Sequence, residues 1–147
     1  MPNNELQILL VEDNMSDAML TIRALKKHNL GNNLVHLYDG AQALDFIFGK
    51  GEYEGRNLSE KPKVIFLDLK MPKVDGLEVL RHLKSDDRTK FIPVVMMTSS
   101  KEEKDIIESH RLGVNSYIVK PVGFENFSKI VVDLGLYWLL VNQTPRE

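Results

Sequence analysis

The chain has 147 residues, 43% of them hydrophobic and 27% charged, with a formal net charge of −2 and no cysteine. That length can bury the core of one domain, and the missing cysteines exclude disulfides and thiolate metal sites, as suits a reducing cytoplasm. No stretch is basic enough for nucleic acid, the N-terminus lacks a signal pattern, and the strongly apolar run 134–141 is too short to span a bilayer; neither nucleic acid nor a membrane is expected as a partner.

Taken in chain order, "QILLVE" at 7–12 predicts a short buried strand. A helix follows, with Asn14 or Ser16 as cap, Met15, Ala18, Met19, Ile22 and Leu25 at helical spacing, and Gly31 as a stop. Residues 33–38 predict a second strand and 39–49 a second helix, with Ala43, Leu44, Ile47 and Phe48 on one face. The polar segment 50–62 reads as an extended connection with room for one helical turn, and it is long for such a joint.

"KVIFLD" at 63–68 is apolar without alternation, as expected of a strand covered on both faces. It ends on Asp68, and Met71-Pro72 then shapes a loop. Asp75 is placed to cap a helix over 76–87, with Leu77, Leu80 and Leu83 inward, and Gly76 lets the chain turn into it. A fourth strand runs over 92–100 into a Ser/Thr turn able to cap a helix over 101–113. Residues 115–121 predict the fifth strand and 123–142 the last helix.

Five alternations of strand and helix predict an α/β domain: a doubly wound, five-stranded parallel sheet flanked by helices. No repeat and no linker point to a second domain. In such sheets ligands bind at the carboxyl ends of the strands, near the switch point. Those ends carry Glu12-Asp13, Asp68, Thr98-Ser99 and Lys120-Pro121.

Each feature alone has an ordinary structural role. An Asp before a turn is usually a cap, an acidic pair before a helix complements its dipole, and Lys-Pro after a strand is a loop entry. Their placement on four tips of one sheet favours a shared site. Three carboxylates brought together repel unless a cation offsets them. An all-oxygen set suits a hard ion such as Mg²⁺, held by Glu12, Asp13 and Asp68 with the backbone carbonyl of Lys70 as a further ligand. A lysine charge nearby is what an incoming phosphoryl group requires. The chemistry these residues point to is phosphoryl transfer onto Asp68 as nucleophile, with Lys120 and the Thr98 hydroxyl on the phosphoryl oxygens.

"ILLVEDN", "VIFLDLKMPKVDG", "VVMMTS" and "YIVKP" together resemble the motifs of response regulator receiver domains of two-component signalling, over roughly residues 6–142. The resemblance implies the flavodoxin-like receiver fold and a phosphoacceptor, Asp68, served by a sensor histidine kinase or phosphotransfer protein with Mg²⁺. It implies a switch in which Thr98 moves toward the phosphoryl group and Tyr117 turns inward, and a cis peptide between Lys120 and Pro121. Such a chain is a signalling module, an enzyme only in its self-catalysed aspartyl phosphorylation and dephosphorylation. The ending "LYWLLVNQTP" and the long second-helix region further resemble single-domain regulators that partner phytochromes, without an output domain.

Two other readings compete. A phosphohydrolase working through an aspartyl phosphate commonly places an acid two residues after the nucleophile, but Lys70 stands there. A scaffold that takes no phosphoryl group would not need the full set of site residues.

The last helix is more apolar than one buried stripe requires. Phe127, Ile130 or Val131, Leu134, Trp138 and Val141 form its expected inward face. Val132, Leu136, Leu139 and Leu140 then form a second apolar surface, expected to be a homodimer interface.

Overall fold

The computed structural model describes residues 6–121 and 123–143. Five strands, β1 (Ile8–Val11), β2 (Leu34–Leu37), β3 (Val64–Leu67), β4 (Val94–Thr98) and β5 (Ser116–Val119), alternate with five helices. These are α1 (Met15–Lys27), α2 (Gly40–Phe48), α3 (Gly76–Ser85), α4 (Glu103–Arg111) and α5 (Phe124–Leu136). All strand pairs are parallel, in the order β2-β1-β3-β4-β5. The chain reverses its winding between β1 and β3, so the crevice at their carboxyl ends is the topological switch point.

The central strands β1, β3 and β4 are apolar at every position but Thr98, because both of their faces are covered. Ile8, Leu10, Val64, Phe66, Val95 and Met97 face α1 and α5, packing with Ala18, Leu25, Phe127 and Val131. Leu9, Val11, Ile65, Leu67, Val94 and Met96 face the other way, packing with Ala43, Phe46, Val79, Leu80 and Leu83. The period-two alternation therefore splits one apolar run between two cores.

Local signals set the helix starts. Asn14 caps α1 by accepting the Asp17 N–H (3.0 Å), and Asp75 caps α3 by accepting the Glu78 N–H (3.0 Å). Gly76 serves space and not a turn. A Cβ there would lie 2.3 Å from the Asp68 carbonyl oxygen and 2.7 Å from Leu69 Cα. The connection 50–62 holds the single turn expected of it, a 3₁₀ turn at Gly51–Tyr53.

The last helix departs from its expected course. After Leu136 it continues as a π turn, Tyr137–Val141, closed by the Asn142 N–H to Tyr137 O bond of 2.8 Å. A π turn takes in more residues than an α turn and so shifts the facing of its side chains. Leu139, expected on the outer surface, is consequently buried in the α1–α5 core, whereas Val141, expected inside, is 62% exposed. Val132 is half-buried against the same core. Of the four outward positions, Leu136 (42%) and Leu140 (67%) remain well exposed. Gly135 brings this end close to α1: a Cβ there would meet Leu25 Cδ2 at 2.8 Å.

Candidate functional site

The strand tips converge. The Glu12 N–H donates to Leu37 O and the Asp68 N–H to Val11 O, both at 3.0 Å, so each acid sits on the last rung of a ladder. Carboxylate oxygens of Glu12, Asp13 and Asp68 lie within 4.8 Å of one another. Glu12 (4% exposed) and Asp68 (8%) are buried, and Asp13 is open to solvent.

Lys120 reaches this group from the end of β5. Its N–H donates to Thr98 O at 2.8 Å, which extends the β4–β5 ladder by one residue. Its Nζ donates to Glu12 Oε1 (2.6 Å) and Asp17 Oδ2 (2.7 Å), and stands 3.8 Å from Asp68 Oδ2. The expected cis bond before Pro121 is absent, since no described peptide bond is cis. The trans form is the lower in energy even before proline, and the two carboxylates fix where the ammonium points.

Electrostatics follows from this crowding. Burial, then the hydrogen bond and charge of Asp68, push Glu12 up to about 8, with Lys120 acting in the opposite direction. Burial lowers Lys120, but its bonds to Asp17 and Glu12 and the charges of Asp68 and Glu12 outweigh that, so it is held above its ordinary value as an ammonium. Without a cation, the buried carboxylate keeps a proton near neutral pH. An oxygen-only set in this condition suits a hard divalent ion.

Around the cluster lie the other strand-end residues. Thr98 is fully buried, and its Oγ1 accepts the Ser100 N–H at 3.3 Å. Tyr117 is half-buried, its hydroxyl donating to Ser100 O at 3.0 Å. The Lys70 side chain is turned toward α4, with Nζ 3.6 Å from Asp105 Oδ2.

Three participants are not legible in the sequence. Asp17 reads as an ordinary first-turn acid of a capped helix, and its bond to Lys120 spans 103 residues. Asp105 looks like one more charge in "KEEKDIIE", yet it is 5% exposed and accepts from Ser100 Oγ at 2.6 Å. Ser100 reads only as part of a capping turn. It does accept the Glu102 N–H, at 3.3 Å, but it also joins Asp105 to Tyr117. The one available signal is the five-residue step from Ser100 to Asp105, which is too common to act on.

A 2-1-3-4-5 parallel sheet with carboxylates and one lysine gathered at its switch point defines a class of signalling domain. The response regulator receiver domain family matches residues 8–132, and the chain belongs to that family. Among its relatives it is 41% identical to the probable methanogenesis regulatory protein FilR2 of Methanothrix harundinacea, over 94% of this chain and 86% of the relative. It is likewise 41% identical to response regulator Rcp1 of Synechocystis, over 90% and 88%. The structure superposes on the Mn²⁺-bound form of Rcp1 with a TM-score of 0.87, at 38% identity over 96% of this chain and 99% of that one. For phosphorylated RcpA, a cyanobacterial phytochrome response regulator, the TM-score is 0.89, at 37% identity over 97% and 99%. For the bacteriophytochrome response regulator AtBRR it is 0.74, at 50% identity over 97% and 100%.

Proposed function

We propose that this chain accepts a phosphoryl group on Asp68 from a phosphohistidine donor, a sensor histidine kinase or phosphotransfer protein. The observation that carries the reading is the Lys120 ammonium held 3.8 Å from Asp68 within a cluster of three carboxylates. An Asp68 oxygen forms the new O–P bond while the P–N bond to the donor imidazole breaks. The imidazole keeps the electron pair and later takes a proton, and Asp68 becomes an acyl phosphate. Glu12, Asp13, Asp68 and the Lys70 carbonyl would hold Mg²⁺, whose chemistry is to neutralise charge on the transferring group. The Mn²⁺ in a structure of Rcp1 supports a divalent site. Lys120, held beside Asp68 by Asp17 and Glu12, pairs with a phosphoryl oxygen.

The output is a packing switch. A phosphoryl oxygen offers the Thr98 hydroxyl a charge-assisted bond, and Tyr117 fills the space that Thr98 leaves, giving up its bond to Ser100 O. The role is that of a relay and not of an enzyme with an external substrate. Label introduced by a phosphorylated histidine kinase should be hydroxylamine-sensitive on wild type and absent from Asp68→Asn. Equal label on both would refute the assignment.

The donor we infer is a phytochrome-type kinase, supported by the likeness to RcpA and AtBRR. Transfer from an autophosphorylated phytochrome kinase of the source organism should outpace transfer from unrelated kinases; equal rates would contradict it. A homodimer through Leu136 and Leu140 accounts for two exposed leucines beside exposed Tyr137 and Val141. Sedimentation equilibrium should then give a smaller mass for Leu136→Glu/Leu140→Glu than for wild type, and identical monomer masses would exclude it.

A further inference from the structure

The connection 50–62 takes no part in the phosphoryl site, yet it walls a cavity of about 180 Å³ at the amino-terminal edge of the sheet, away from Asp68. The apolar surfaces come from Ile47 and Phe48 at the end of α2, Leu58 and Pro62 of the connection, and Ile92 before β4. Three cationic residues line it as well, Arg56, Lys61 and Arg88, and no acidic residue does.

Arg56 is the informative one. Its Nε donates to Phe46 O (2.7 Å) and its Nη1 to Glu60 O (3.1 Å) and Asn57 O (3.4 Å), all of them neutral carbonyls. Its guanidinium carbon lies 4.2 Å from the centre of the Phe46 ring. Those contacts leave Nη2 without a hydrogen bond and the charge without an ion pair among the described residues. Burial acts against this charge, with only Glu60 on its own loop working to hold it. Arg88 differs: Asp86 binds its Nε (3.0 Å) and Nη2 (2.8 Å), so its charge is already offset. Asp86 also feels Lys61. The excess of positive charge therefore rests on Arg56 and Lys61, beside an apolar floor.

The size restricts the occupant. An apolar cavity of about 150 Å³ holds a benzene ring, whereas drug-sized ligands need several hundred cubic ångströms. A guanidinium with a free N–H pairs with a planar oxyanion better than a lysine does. We propose that this cavity is a binding site for a small organic anion, one carboxylate or phosphate head on a single-ring or short-chain apolar body, with the head on Arg56 and Lys61. The 50–62 connection supplies two apolar walls, Leu58 and Pro62, and both cations of that site. The proposal is independent of phosphorylation at Asp68.

Methyl-resolved NMR titration of the full chain tests it, with 3-phenylpropionate and benzylphosphonate as the two anionic probes and 3-phenylpropionamide as the neutral isostere. Saturable shifts should appear at the Ile47, Leu58 and Ile92 methyls with at least one anion, and binding of the amide should be about tenfold weaker or worse. The preferred anion tells a carboxylate head from a phosphate head. Arg56→Gln should weaken the anion and leave the amide unchanged. Because Arg56 also braces the loop, the anion-to-amide comparison on the unaltered chain decides the matter without any variant. No saturable shift up to about 10 mM, equal binding of the amide, or shifts confined to the Asp68 edge would each overturn the proposal.

Discussion

At the scale of single residues, the site is governed by crowding of like charges around one ammonium. Lys120 offsets Glu12 and Asp68 while Asp17 holds it from α1. Lys120→Met should slow phosphorylation by phosphoramidate about 100-fold or more, since a preorganised charge on the transferring group is lost; a rate within a few-fold of wild type would contradict its role. Glu12 gives a pH signature. Its folded pKa of about 8 lies above the ordinary 4.5, so the folded metal-free protein keeps a proton that the unfolded chain releases. Stability from this group is therefore present below the ordinary value and is lost as pH rises through the folded one. A divalent ion that binds the ionised carboxylate relieves that loss. The rise in melting temperature on adding Mg²⁺ should grow between about pH 6 and about pH 8.5, and a rise that is flat with pH would argue against Glu12 as a ligand. Gly76 is a third residue-scale constraint. Gly76→Ala drives a methyl into the Asp68 carbonyl, 2.3 Å away. It should cost about 1–3 kcal/mol by denaturant unfolding and slow phosphorylation, because the backbone that must move carries the acceptor.

At the scale of elements, the legible and the illegible divide along a physical line. Strands β1, β3 and β4 are readable because their apolar runs are short, bounded by polar turns and contain β-branched residues, which together favour a buried strand over a buried helix. Once these and β5 are set parallel, the meeting of Glu12, Asp13, Asp68 and Lys120 at one edge follows from chain direction alone. The partners contributed by helices are not readable, because a side chain such as Asp17 or Asp105 meets the site through the helix's rotation and tilt, which pattern does not encode. The end of α5 shows the same limit. A strict helical period puts Leu139 outside and Val141 inside, and the π turn reverses both. Leu139→Ala should therefore cost about 2–4 kcal/mol, while Leu140→Ala, at an exposed position, should stay within about 0.5 kcal/mol in the monomer. Equal costs would mean that the helix keeps its α phase. The loop before β4 depends on one long side chain. Lys84 Nζ donates to Lys90 O (3.1 Å), Ile92 O (3.0 Å) and Asn115 Oδ1 (3.0 Å), and Asn115 Oδ1 in turn accepts the Val94 N–H at 2.8 Å. These bonds tie the end of α3 to the entries of β4 and β5.

At the scale of the whole molecule, the two edges of one sheet carry different chemistry. The carboxyl edge gathers acids around Lys120, and the amino edge gathers cations over an apolar cavity behind the long connection. The sheet between them is a rigid mount, buried on both faces by two separate cores. Among the described residues, no helix is long and apolar enough to cross a membrane. Fold and family together make this a receiver, and the chemistry proposed for it is phosphoryl transfer onto Asp68. Incubating the protein with acetyl phosphate and Mg²⁺ and following the intact mass tests this most directly. The expected result is a gain of one phosphoryl group in wild type, prevented by EDTA and absent from Asp68→Asn. No gain in wild type, or an equal gain in Asp68→Asn, would contradict the assignment of Asp68.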